Sequence, residues 1–212
     1  MPMEATTETE RPADMIIVVV FDGLRPDMID RETTPNIVKW KEDACWFRNS
    51  SSIFPTMTRV AATSISSGAY PSIHGVINNV FFHPPLSPHT ALNTSHYKEI
   101  RKAELFFDNE LITTVSLGEK LAEQNLTMSI AHCGSAGSAY MLNHKAKING
   151  HRTFSIHGAH NTVTPKAVTD AVTVCGNIPE FDIPRYNICR YVTDVFLSMT
   201  LTPKPPDVAC IW

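Results

Sequence analysis

The sequence predicts an α/β fold: a mostly parallel sheet with helices on both faces. Three observations lead there. Residues 15–21, "MIIVVVF", form a continuous and largely β-branched apolar run, the pattern of a strand covered on both faces. Further short apolar runs alternate with segments of helical spacing along the chain. The composition, 43% hydrophobic and 18% charged over 212 residues, is enough to build a sizeable core in one large domain or two small ones.

The elements follow in order. Residues 1–14, "MPMEATTETERPAD", are polar and acidic and read as a flexible tail. They lack the basic start and apolar centre of a signal peptide. No apolar run approaches the roughly 20 residues of a membrane span, so the expectation is a cytoplasmic protein. After the first strand, "TTPNIVKWKEDA" reads as a helix capped by Thr34, with Pro35 in its first turn and Ile37, Val38, Trp40 and Ala44 on its apolar side. "CWFRNSSSIF" reads as a second strand running into a polar loop. Residues 58–67 are mostly small and predict a closely packing helix, stopped by Gly68 and Pro71. Pro84, Pro85 and Pro88 make residues 80–110 an irregular insertion facing the substrate. "TVSLGEKLAEQN" is an amphipathic helix marked by Val115, Leu117 and Leu121, and "LTMSIAH" is a strand. "AVTDAVTVC" and "YNICRYVTDVFLSMTL" are helices, and "PPDVACIW" is a turn leading into an apolar strand. Chain ends usually lie at the surface. A last residue, Trp212, inside a buried strand therefore predicts that residues 15–212 are the N-terminal part of a longer domain.

The charge balance narrows the function. A net charge of −3 provides no field that would draw nucleic acid or an anionic membrane. Cys45, Cys133, Cys175, Cys189 and Cys210 form no CxxC pair, so free thiols are expected and a cysteine-built zinc site is not. The N-x-S/T triplets at Asn49, Asn93 and Asn125 read as chance matches without a secretory signal.

Chemistry is concentrated near two stretches, "IIVVVFDGLRPD" and "FPTMTRVAATSISSGAYPSIHGVINN". Ligands of open α/β sheets bind outside the carboxyl ends of the strands, which is where Asp22 falls. Gly23 lets the backbone turn there. The Asp22 carboxylate suits a divalent metal or a general base, with helix capping as the plain alternative. Thr58 places a hydroxyl at a helix start, where free N–H groups favour a phosphate or a developing oxyanion. Such a hydroxyl needs a base or a metal to act as nucleophile; capping is the plain alternative for Thr58 and Thr56. Asn78 or Asn79 could donate an amide to a phosphoryl oxygen or close an Asx turn. His151, His157 and His160 form the densest histidine group, in a polar loop.

Together these motifs resemble the type I phosphodiesterase/nucleotide pyrophosphatase family of the alkaline phosphatase superfamily. The family pattern is a strand ending in Asp-Gly, then P-[ST]-x-T, a helix, an S/T-G-x-Y-P-x-x-H-G turn and an Asn. The resemblance is close over residues 15–82 and looser in "GSAGSAYML" and "PPDVACIW". It implies an alkaline-phosphatase-like fold and hydrolysis of phosphodiester or pyrophosphate bonds in a small phosphate ester, a nucleotide among the candidates. It also implies two divalent ions, expected to be zinc, with Asp22 and Thr58 as ligands. Thr58 would be the nucleophile that forms a phosphoryl-threonine intermediate, and Asn79 would hold a phosphoryl oxygen. Thr56 would shape the loop, with a nucleophilic role not excluded, and His74 would be structural. Residues 59–62, "RVAA", replace the Phe-Pro-Asn-His found after the nucleophile in many animal members, which leaves nucleotide preference open. The Asp-x-x-x-His and Asp-His elements that complete a two-zinc site are expected beyond Trp212, so the chain alone is expected to be inactive. Two other functions remain in view. One is a different reaction of the superfamily: phosphonoacetate hydrolysis, phosphomonoester hydrolysis or phosphoethanolamine transfer. The other is a non-catalytic binding protein.

Overall fold

A computed structural model describes residues 13–201 and 204–212. Residues 1–12, the bulk of the expected tail, lie outside the described residues. Among the described residues six strands form: β1 (Ile16–Val19), β2 (Val80–Phe81), β3 (Leu92–Asn93), β4 (Met128–His132), β5 (Arg152–Ser155) and β6 (Val208–Ile211). Four of them make one sheet in the order β1-β6-β4-β5, every pairing parallel. β2 and β3 pair as a separate antiparallel ribbon. The expected α/β architecture is therefore present.

Period-two alternation sends neighbouring side chains of the central strands to opposite faces. Along β6, Val208 and Cys210 enter one core with Trp212, whereas Ala209 enters the other. β4 divides likewise, with Met128 and Ile130 on the first side and Ala131 on the second. Helices cover both sides. The first core takes Val60 and Ala62 of α2 (Thr58–Ser67), and Tyr140, Met141 and Leu142 of α6 (Ala136–Leu142), among others. The second takes Ala167, Val168 and Ala171 of α7 (Pro165–Cys175), with Ile188, Tyr191, Val192 and Val195 of α8 (Tyr186–Val195). Each fully buried branched side chain contributes about 1.5–3 kcal/mol of transfer free energy.

Local signals explain most boundaries. Pro35 opens α1 (Pro35–Glu42) and Pro71 opens α3 (Pro71–His74); Gly68, at φ +66°, ends α2 in the left-handed conformation. Ser116 and Glu119 form a reciprocal capping box at the start of α5 (Leu117–Glu123). Ser135 caps α6 by accepting the Ser138 N–H at 3.1 Å.

Five expectations need correction. β1 is not covered on both faces: Ile16, Ile17 and Val19 are exposed. It has one strand neighbour, β6, and α1 beside it leaves an open groove of about 530 Å³ bordered by Val19, Phe21, Ile37 and Trp40. Residues 45–54 form no strand, because no described strand offers them a hydrogen-bonded ladder. Thr34 does not cap α1; its hydroxyl is held by Asp30, accepting from the N–H at 3.0 Å and donating to the carbonyl at 3.1 Å. Residues 80–110 are irregular for the most part but not throughout, since they also contain β2, β3 and the ten-residue helix α4 (Tyr97–Phe106). α4 docks through Ile100 and Ala103, which the charged "YKEIRKAE" pattern obscured. In α5 only Leu121 of the three apolar marks is buried; Val115 and Leu117 face outward.

Candidate active site

Asp22 lies three residues past β1, and Trp212 follows β6 directly, so both stand at the carboxyl edge of the sheet. The chain turns back after β1 through a Leu24 N–H to Phe21 carbonyl bond of 3.2 Å, with Gly23 at φ +81°. That backbone conformation favours glycine and leaves the Asp22 carboxylate projecting from the turn. The Trp212 indole N–H donates to Asp22 Oδ2 at 3.3 Å.

Thr58 is the first residue of α2, and its hydroxyl donates to the same Asp22 oxygen at 3.2 Å. The sheet edge and the helix start, 36 residues apart in sequence, therefore meet at one carboxylate oxygen. α2 holds this place because its small, buried face (Val60, Ala62, Thr63 and Ser66) packs against α6. The Ser66 hydroxyl donates to the Met141 carbonyl at 2.8 Å and fixes the contact.

Asn79 reaches the same helix start from the far side. Its Oδ1 accepts the Arg59 N–H at 3.0 Å. That bond sets the orientation of the amide and leaves its NH₂ group with only a weak contact, 3.9 Å from Met57 Sδ. The loop carrying Asn79 is clamped by Arg59, whose guanidinium donates to the Asn79 carbonyl at 3.2 Å and to Thr94 Oγ1 at 2.8 Å. Thr94 closes the circuit by donating its own hydroxyl to the Asn79 carbonyl at 2.7 Å. Burial pulls the Arg59 guanidinium below its ordinary value.

The remaining sequence candidates stand apart from this group. Thr56 donates its hydroxyl to the Ile53 carbonyl at 2.9 Å, a bond within its own turn. His74 is buried; Nδ1 accepts the Val76 N–H at 3.2 Å and Nε2 meets Ser64 Oγ at 2.9 Å, which ties α3 to α2. Burial holds it below the usual histidine value. His151 joins Asn143 and the Leu126 carbonyl, His157 the Gly134 carbonyl, and His160 its neighbour Asn161. Sequence reading missed Arg59, Thr94 and Trp212. For Arg59 the signal was a lone cation one residue after Thr58 in a run of small residues; for Thr94 and Trp212 no local signal exists.

Asp22 and Thr58 together offer one carboxylate and one hydroxyl, both suited to a divalent cation. Among the described residues no group of three or more His, Cys, Asp or Glu side chains comes together. A closed zinc centre takes about four ligands, more than Asp22 and Thr58 offer.

The profile of the family described as Type I phosphodiesterase / nucleotide pyrophosphatase matches residues 16–185. The chain belongs to the type I phosphodiesterase/nucleotide pyrophosphatase family. It is similar to an uncharacterised pyrophosphatase/phosphodiesterase of Schizosaccharomyces pombe, with 35% identity over 69 residues, or 32% of this chain and 14% of that protein. Its fold is shared with phosphonoacetate hydrolase from Sinorhizobium meliloti. The complex of that enzyme with phosphonoacetate superposes with a TM-score of 0.70 at 14% identity, and the complex with phosphonoformate with 0.66 at 15%. Each comparison covers 92% of this chain and 45% of the solved one, so the chain spans under half the length of these relatives.

Proposed function

We propose that this type I phosphodiesterase cleaves phosphodiester or pyrophosphate bonds of a small phosphate ester, in the whole protein, with Thr58 as nucleophile. One observation carries the reading. The Thr58 hydroxyl, at the opening of α2, points its proton at Asp22, while Asn79 meets the same helix start through Oδ1 and keeps only a weak Met57 contact on its NH₂.

Each residue then has a definite task. With its proton directed at Asp22, Thr58 Oγ1 keeps its lone pairs for phosphorus. Attack forms a phosphoryl-threonine and expels the leaving alcohol or phosphate; water then hydrolyses that ester and restores the hydroxyl. Asn79 donates an N–H to a non-bridging oxygen, and the opening turn of α2 adds its partial positive charge. Trp212 steadies Asp22 from the sheet side. Asp22 and Thr58 are the residues that would hold one of two divalent ions, zinc in our reading. When bound, such ions favour the alkoxide form of the hydroxyl and offset phosphoryl charge. The other donors are assigned to the portion of the fold that lies outside the matched 45% of the relatives, and on that basis the 212-residue chain by itself is expected to be inactive.

Turnover of a p-nitrophenyl phosphodiester with added zinc tests both statements. The whole protein is expected to turn over, and Thr58→Ala to lose at least about 10³-fold in kcat while keeping its fold. The 212-residue chain is expected to be silent. Retained activity in Thr58→Ala would remove the nucleophile assignment, and Thr58-dependent activity in the short chain would remove the divided donor set.

A further inference from the structure

Cys133 and Cys189 are both free thiols, and they lie against each other. Their sulfurs are 3.9 Å apart although the residues are 56 positions apart in sequence. Cys133 follows the last residue of β4 and begins the loop that leads to α6, while Cys189 sits in the opening turn of α8. Cys189 is exposed and Cys133 partly buried.

We propose that Cys133 and Cys189 form a reversible disulfide, a redox modification site joining the carboxyl end of β4 to the start of α8. A disulfide requires sulfurs about 2.05 Å apart. The remaining gap of about 2 Å is closed by χ1 rotation and a small shift of a loop that contains Gly134.

The order of events follows from exposure. A hydroperoxide reaches Cys189 first; its thiolate attacks the peroxide oxygen, the O–O bond breaks, and a sulfenic acid forms. The Cys133 sulfur then attacks Cys189, forming the S–S bond and breaking S–O. In sum, two thiols and one hydrogen peroxide give one disulfide and two waters. Burial and the neighbouring Cys189 push the Cys133 thiol up to about 11, which makes Cys133 the less reactive of the pair and leaves the first encounter with peroxide to exposed Cys189. The bond would be felt at the candidate active site through two contacts. The Cys133 N–H donates to the Trp212 carbonyl at 2.8 Å, and the Trp212 indole holds Asp22.

The test is peptide mapping after treating the whole folded protein with hydrogen peroxide and then alkylating under denaturing conditions. The expected result is a linked pair of peptides containing Cys133 and Cys189, a mass loss of two hydrogens, and loss of the link on adding dithiothreitol. Cys133→Ser and Cys189→Ser should each remove it, and the double variant Cys45→Ser/Cys175→Ser should retain it. Separate alkylation of Cys133 and Cys189 after oxidation would overturn the proposal. So would a link from either one to a different cysteine, or over-oxidation of Cys189 with Cys133 left free. The wild-type map alone decides the matter if a serine variant fails to fold.

Discussion

Asn79 uses its two amide atoms for different purposes, and substitution can separate them. Oδ1 caps the Arg59 N–H, whereas the NH₂ group makes only the weak contact with Met57 Sδ and is the proposed donor to substrate. Asn79→Asp keeps an acceptor for the cap but loses the donor and adds a negative charge. It should therefore melt near the parent temperature yet lose about 10²–10³-fold in kcat. Asn79→Ala should lose the donor and also about 1 kcal/mol of helix-start stability. Steady-state kinetics beside thermal melts of the whole protein would distinguish them, and an Asn79→Asp variant with unchanged kcat would count against the assignment. Asp22, Thr58 and Asn79 were legible because each belongs to a local motif: a strand end, a helix start, a turn. The residues that fasten them were not. Trp212 bonds a carboxylate 190 positions away, and Thr94 meets Arg59 across 35. Such pairings exist only once helix, ribbon and sheet have docked.

At the scale of the element, α6 shows why a helix with clear tertiary support can escape sequence reading. "AGSAYML" is only seven residues long and carries a glycine at its second position, which weakens an otherwise favourable helical run. The reason for the glycine is steric. A Cβ on Gly137 would collide with the Thr94 carbonyl, and its N–H donates to the Ser95 carbonyl at 3.2 Å. α6 therefore packs against the loop after β3 at a distance that only glycine permits, and Thr94 in that loop is the residue that braces Asn79. Gly137→Ala gains helix propensity yet should destabilise the protein by about 1–3 kcal/mol through overpacking. Denaturant unfolding measures this, and a neutral or stabilising result would mean that the loop yields freely. The same contrast explains residues 45–54, where strand-like composition met no partner strand, and α4, where charged residues surround a narrow buried face of Ile100 and Ala103.

For the whole molecule, buried histidines shape the response to acid, His132 and His144 most strongly. Burial draws His132 down to about 3, with the nearby His157 adding to the effect. Burial also draws His144 down to about 4, against the opposing pull of Glu119 at 3.7 Å. In an unfolded chain both rings titrate near about 6.5. The folded values lie below the unfolded ones, so between them the unfolded chain binds more protons. Stability is thus complete above about pH 6.5 and falls as pH drops towards 4, by up to about 1.4 kcal/mol per pH unit for each ring. His144→Gln should remove one proton from that slope in unfolding experiments between about pH 4 and 6; an unaltered slope would show that His144 does not stay neutral in the fold. The parallel pairing of β1 with β6 has a consequence of another kind. Synthesis proceeds from the amino end, so β1 leaves the ribosome long before β6, its only described strand neighbour. Until then Ile16, Ile17 and Val19 have no ladder, and Asp22 lacks its indole partner. Closure of so distant a contact is slow compared with helix formation. The α2 helix can thus form early in the nascent chain, but the carboxylate beside it gains its indole partner only after Trp212, 190 residues further on, has been made.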